Sequence, residues 1–225
     1  MTETVRVLGG GAVQGLIESV RVSFPHPIEG AFGAVGAMRD KLLAGEPVDV
    51  MILSRALIDG LIKDGRVVAD SAVDIGTVET AVAVRRGDPA PAIGSKDELR
   101  AALRAASAIH FPDPAQATAG IHFAKVMREL GVWDEVQPKL RPAPNGATAM
   151  RALAADKSPR PIGCTQVTEI LSTPGIVLVA PLPADCRLAT VYTAAVAESA
   201  SAPAMARAFI EQLAAAPAKK RLGFI

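Results

Sequence analysis

The run Val48 to Leu53 reads Val-Asp-Val-Met-Ile-Leu and is too apolar for either face to meet water. Strands of that kind are covered by helices on both sides, as in parallel sheets. The flanking sequence agrees. Val5 to Leu8 is a short apolar strand that ends in Gly9, Gly10 and Gly11, and Leu16, Ile17 and Val20 follow at helical spacing. Ile28 to Val35 reads as a second strand, and Gly36 to Gly45 as a short helix carrying Met38, Leu42 and Leu43. After Leu53, Ser54 caps a helix through Leu57, Ile58, Leu61 and Ile62 that stops at Gly65. Strand and helix thus alternate, the pattern of a parallel sheet covered on both faces.

The alternation resumes after a long alternating strand, Thr77 to Arg85. Ser95-Lys-Asp-Glu98 is a capping box opening a helix through Leu99 and Leu103. Ser107 to Phe111 is a short buried strand, and Phe123, Val126, Met127 and Leu130 recur at helical spacing up to Gly131. Between them, Pro112, Asp113, Pro114, Thr118 and Gly120 suit a tight turn that delivers its backbone into a helix start, with Thr118 as the cap. First-turn amides have no intrahelical partner and carry partial positive charge, so such a start can hold an anion. Trp133 to Pro144 reads as loop, and Asn145 as the N-cap of a helix with Met150 and Leu153. Pro161 to Thr165, Ile176 to Val179 and Thr190 to Ala197 are strands, with a short helical piece from Gln166 to Leu171. Pro203 opens a helix through Phe209 and Leu213, and Pro217 a last short one.

Composition narrows the partners. The 24 basic and 23 acidic residues are scattered singly and aromatics make up 4%, which argues against nucleic acid. No apolar run reaches the roughly 18 residues of a membrane span. Met1-Thr-Glu-Thr leads straight into a strand, which predicts a cytoplasmic protein, or a periplasmic one if a signal peptide has been removed ahead of it. His26, His110 and His122 lack metal-ligand spacing, and Cys164 and Cys186 read as separate buried thiols. No metal and no cofactor is expected. Gly9-x-Gly11-x-x-x-Gly15 is one residue too long for a dinucleotide fingerprint.

Several strings, in this order and spacing, resemble the molybdate-binding-protein branch of the type II periplasmic solute-binding family. They are Gly45-Glu-Pro-Val-Asp-Val-Met-Ile-Leu-Ser54, Val82-Ala-Val-Arg-Arg-Gly-Asp-Pro89, Asp113-Pro-Ala-Gln-Ala-Thr-Ala-Gly120, Gly163 to Glu169 and the terminal Leu222-Gly-Phe224. The resemblance implies an α/β, two-lobe type II periplasmic-binding-protein-like fold with mixed, mainly parallel sheets and a hinged cleft. With the break placed near Thr77 to Arg85, residues 1–80 plus 198–225 form lobe 1 and residues 81–197 form lobe 2.

Carried onto this sequence, the family's anion contacts fall on Ala12, on Val35 or Gly36, on Ala119, near Gly146-Ala147 and on Gln166. Oxyanion-binding members have hydroxyl side chains at the first two places and a tyrosine at the last. Here all three hydroxyls are missing. Each lost donor to a charged group costs about 1.5–3 kcal/mol, which disfavours molybdate. Gly10, Gly11, Ala12, Val35, Gly36, Ser54, Thr118, Ala119, Gly146, Thr165 and Gln166 are the expected ligand contacts, with Arg55 as a countercharge. They suit a small anionic organic molecule of carboxylate type, bound by a solute-binding or sensor protein. The alternative is a cytoplasmic enzyme on the same scaffold, an isomerase or lyase that abstracts a proton next to a carboxylate, with His122 or Glu79 as its base. A transporter is expected as partner only if the protein is exported. The sequence assigns no oligomeric state.

Overall fold

The computed structural model describes residues 4–225, so the expectation about location drawn from the start at Met1 falls on residues outside this range. The elements in chain order begin with β1 (Val5–Gly10), α1 (Gln14–Arg21), β2 (Ile28–Gly33), α2 (Val35–Leu43), β3 (Val50–Ser54), α3 (Arg55–Lys63) and β4 (Val73–Arg85). Next come α4 (Lys96–Ala105), β5 (Ile109–Pro112), α5 (Thr118–Glu129), α6 (Trp133–Val136), β6 (Leu140–Ala143) and α7 (Gly146–Ala155). The chain closes with β7 (Ile162–Gln166), α8 (Val167–Leu171), β8 (Ile176–Pro181), β9 (Ala189–Val196) and α9 (Pro203–Ala215). No helix among the described residues is long and apolar enough to cross a membrane.

Two compact units result. The first holds the residues up to Val78 together with Thr190–Ile225, and the second Glu79–Ala189. The first unit has the strand order β2-β1-β3-β9. β1 is parallel to β2 and to β3, and β9 is antiparallel to β3. Val50, Met51, Ile52 and Leu53 are fully buried, which explains their uninterrupted apolar character. Leu16, Ile17, Ile58, Leu61 and Phe209 cover the sheet from the helices.

In the second unit β4 runs antiparallel to β7 on one side and to β8 on the other. β5 is parallel to both β7 and β6. Phe111 and Phe123 meet edge to face at 5.9 Å within a core that includes Leu99, Leu103 and Met127. Cys164 and Cys186 are buried free thiols.

Some local expectations change. β2 ends at Gly33, and Val35 already opens α2. Ala117, not Thr118, is the N-cap of α5, and Thr118 is its first helical residue. The stretch read as loop from Trp133 to Pro144 contains the single turn α6 and the edge strand β6. Pro142 hides that strand from a sequence reading, yet an edge is where a sheet accommodates proline. Beyond Pro217 there is one 3-10 turn, Lys220–Leu222, closed by Gly223 at φ 95°.

Candidate functional site

In the first unit three strands end in step. Gly10 lies beside Gly33, and Gly9 beside Ile52, so β1, β2 and β3 finish on one edge of the sheet. Each runs almost directly into helix: a 3-10 turn at Gly11–Val13 ahead of α1, then α2 at Val35 and α3 at Arg55. None of these starts has a side-chain cap or an acidic residue in its first turn. Open α/β sheets bind ligands beyond the carboxyl ends of their strands. The structure therefore brings Gly10, Gly11, Ala12, Val35, Gly36, Ser54 and Arg55 to one edge. Ala12 and Val35 are buried, while Gly11, Gly36, Ser54 and Arg55 keep partial exposure.

Two residues at this edge escaped the sequence reading. Tyr192 on β9 lies opposite Ser54 and is 3% exposed. A Cβ on Gly10 would stand 3.0 Å from its ring and 2.9 Å from Val35, so only glycine admits this packing without a shift. Asp74 on β4 holds the Arg55 guanidinium at 2.6 Å and also accepts the Thr193 hydroxyl at 2.7 Å. Burial alone would push the Asp74 carboxyl up, but the hydrogen bonds from Arg55 and Thr193 outweigh it and lower it. No local pattern marks either residue, because both come from strands distant in sequence.

The second unit repeats the arrangement. Pro112 lies beside Ala143, and His110 beside Gly163, so β5, β6 and β7 also end on one edge. Asp113 shapes the turn after β5, its carboxylate accepting from the amides of Ala115 and Gln116 at 2.7 and 3.0 Å. α5 then starts with no side-chain cap and no acidic first-turn residue. Gly120 is fixed by packing: a Cβ there would overlap the carbonyl oxygens of Pro112 and Asp113. Thr118 is half-buried at this start, and Ala119 is buried.

α7 differs. Asn145 caps it, its side chain accepting from the Thr148 amide at 2.9 Å. The Ala147 amide donates to the buried carboxylate of Glu169, as do the Gln166 amide and, at 2.6 Å, the Thr165 hydroxyl. Burial pushes the Glu169 carboxyl up, opposed by these three donors. A Cβ on Gly146 would overlap both Glu169 Oε2 and Thr165 Oγ1. Gly146 and Thr165 therefore serve a carboxylate of the chain itself. Gln166 is 2% exposed and lies opposite Thr80 in the sheet. Glu169 closes the string Gly163 to Glu169, but no local pattern marks its contact with Ala147, which comes from packing between helices.

His122 and Glu79 are tied to consecutive residues. His122 Nε2 lies 2.7 Å from the Cys186 carbonyl oxygen, and Glu79 pairs with Arg187 at 3.0 Å. A carbonyl can only accept, so Nε2 carries the proton and the lone pair of the neutral ring is on Nδ1. Thr80, next to Glu79, pairs with Gln166, which puts Glu79 close to the strand-end edge of this unit. His110 is instead a structural histidine whose Nε2 meets Asp156 at 2.7 Å. Among the described residues, no group of three or more His, Cys, Asp or Glu side chains comes together to hold a metal. Two surface hollows, about 200 Å³ beside Pro89 and Arg160 and about 390 Å³ beside Glu46 and Arg66, contain none of the uncapped helix starts.

Two α/β units, the first with strand order β2-β1-β3-β9 and its antiparallel β9 returning from late in the chain, have the topology of the type II periplasmic-binding-protein fold. The chain belongs to the bacterial extracellular solute-binding protein family, which it matches over residues 14–223. It is 28% identical over 232 residues to the aconitate isomerase of a Pseudomonas species, spanning 97% of this chain and 85% of that protein. It is 32% identical over 117 residues to the molybdate-binding protein ModA of Escherichia coli strain K12, spanning 50% of this chain and 44% of that protein. The periplasmic molybdate-binding protein of Azotobacter vinelandii shares the fold, with a TM-score of 0.81 over 98% of both chains at 17% identity. The resemblance to the molybdate-binding branch thus holds for family and fold.

Proposed function

We propose that this chain is a solute-binding protein for a small organic anion bearing carboxylates, which uncapped helix starts hold by their first-turn amides. The observation that carries this reading is a contrast among the chain's own helices. α4 is capped by Ser95 and has Asp97 and Glu98 in its first turn, and α7 is capped by Asn145. The starts at the strand ends of β1, β2, β3 and β5 have neither device, and α9, which also lacks both, opens instead with Pro203, which has no amide to donate. Uncompensated helix starts attract negative charge.

Three points favour an organic carboxylate over a small oxyanion. Ala12, Val35 and Gln166 supply no hydroxyl. Arg55 is partly exposed, and one carboxylate, that of Asp74, does not use all the donors of its planar guanidinium, whose geometry suits a carboxylate. The relative similar over 97% of the chain is named for aconitate, a tricarboxylate. The family's description as extracellular supports a periplasmic location, with an importer as partner. A thermal-shift panel of di- and tricarboxylates, aromatic acids and inorganic oxyanions tests the reading. A bound ligand at about 100 times its dissociation constant adds about 2.7 kcal/mol. Stabilisation by oxyanions and by no carboxylate would sink it.

A second reading, an isomerase acting by proton transfer next to a carboxylate, draws on one further observation. His122 is held by Cys186 in the tautomer that leaves a basic nitrogen on the ring. The name of the aconitate isomerase relative supports the same chemistry.

A further inference from the structure

We propose that Glu169 is a specificity-determining residue: its carboxylate fills the anion site at the start of α7, so that this start accepts no anionic group from a ligand. The inference rests on the proposal that helix starts hold the ligand's carboxylates, and it narrows which starts are available. Among the helix starts at the strand ends, that of α7 is served by a carboxylate supplied from elsewhere in the chain. Its Ala147 amide donates to Glu169, its Thr148 amide to Asn145, and the Thr165 hydroxyl beside it also points at Glu169.

The site is built to receive that carboxylate. Glu169 is 5% exposed and Thr165 fully buried. Gly146 leaves the room, since any side chain there would overlap the carboxylate oxygen and the Thr165 hydroxyl together. Three donors converging on one buried carboxylate form a complete anion site with its anion attached by a tether. A ligand would have to displace Glu169 into an apolar interior to use these donors, and burying an unpaired carboxylate is costly. Two amides of this start, those of Ala147 and Thr148, are thereby taken, which discriminates against compact oxyanions that need donors on every side.

Removing the tethered anion should expose the site to a free one. Glu169→Ala deletes the carboxylate and leaves a polar cavity large enough for formate, and Glu169→Ser does so with a smaller loss of polarity. Each is refolded and melted against sodium formate and sodium sulfate at constant ionic strength, with sodium chloride as control and the unsubstituted protein alongside. Formate should raise the melting temperature of both variants saturably, by about 5 °C. The unsubstituted protein should show no saturable response. Adding Gly146→Ala should abolish the formate response, because the new Cβ occupies the site. A variant that refolds only in formate gives the same support. Variants that respond to formate no more than the unsubstituted protein does, or that refold at no formate concentration, overturn the proposal. Formate is not the ligand, so the result stands apart from the carboxylate panel. Panel binding without a formate response removes this inference alone, and a formate response without panel binding removes the ligand reading alone.

Discussion

Thr165 donates its hydroxyl proton to the carboxylate of Glu169 across 2.6 Å, with both residues shut away from solvent. Three residues separate them, Gln166 at the end of β7 and the first two of α8, so the bond ties a strand end to the helix that follows. Thr165→Val removes the donor and leaves a buried acceptor short of one partner. Urea unfolding should show a loss of about 2 kcal/mol, most of it restored in Thr165→Ser. Equal stability of the valine and serine variants would mean the hydroxyl contributes nothing.

Asp156 gives the fold an acid limit. Burial alone would raise its carboxyl, but the hydrogen bonds from His110 and from the amide and hydroxyl of Ser158 outweigh this and hold it at about 2. A carboxyl whose folded pKa lies below its unfolded value stabilises the fold above the unfolded value and loses that contribution as pH falls through the folded one. The second unit should therefore lose about 1 kcal/mol, after allowance for solvent screening, as pH drops from about 4 to about 2. In Asp156→Asn this part of the acid dependence should disappear. An unchanged profile from pH 5 to 2 would show that the His110 pair carries no such linkage.

The start of α5 allows helix stability and ligand affinity to be moved in opposite directions. Thr118 is its first residue and half-buried. Thr118→Asp adds a negative charge where the helix dipole favours one, worth about 0.3–1 kcal/mol to the free protein. The same charge should weaken binding of an anionic ligand by about tenfold or more. Affinity unchanged in the aspartate variant would place the ligand away from this helix.

The proton-transfer reading has its own discriminating experiment. His122→Asn keeps a polar side chain toward the Cys186 carbonyl, and Glu79→Gln keeps the shape of β4 beside Arg187. Each bound carboxylate is incubated with the protein in deuterated water and read by mass spectrometry. If the chain is an isomerase, the unsubstituted protein should exchange or convert its ligand, and one of the two variants should do so about 10²–10⁴ times more slowly. No exchange with any bound carboxylate would leave binding alone.

Much of the fold was legible in the residues, and the reasons are local. Ser95 and Asn145 cap α4 and α7 as their spacing predicts, and Gly131 ends the run of α5 at φ 68°. The apolar run into Leu53 identifies β3 because parallel strands need no alternation. β6 escaped because its Pro142 and two exposed residues imitate a loop. The candidate site was legible only along the chain. Strand–turn–helix junctions at Gly10, Val35, Ser54 and Thr118 announce themselves locally. Tyr192 opposite Ser54, Asp74 on Arg55 and Glu169 on Ala147 do not, because each pairing is made by sheet register or by packing of one element on another.

If the uncapped helix starts of this chain hold an organic carboxylate, the absence of the hydroxyl set at Ala12, Val35 and Gln166 should exclude a compact oxyanion. Calorimetric titration of the purified protein with a tricarboxylate, with molybdate and with sulfate, at one ionic strength, tests it most directly. The tricarboxylate should bind saturably with one site, and neither oxyanion should give measurable heat of binding at about 1 mM. Submicromolar binding of molybdate or sulfate, with no carboxylate bound, would contradict the account.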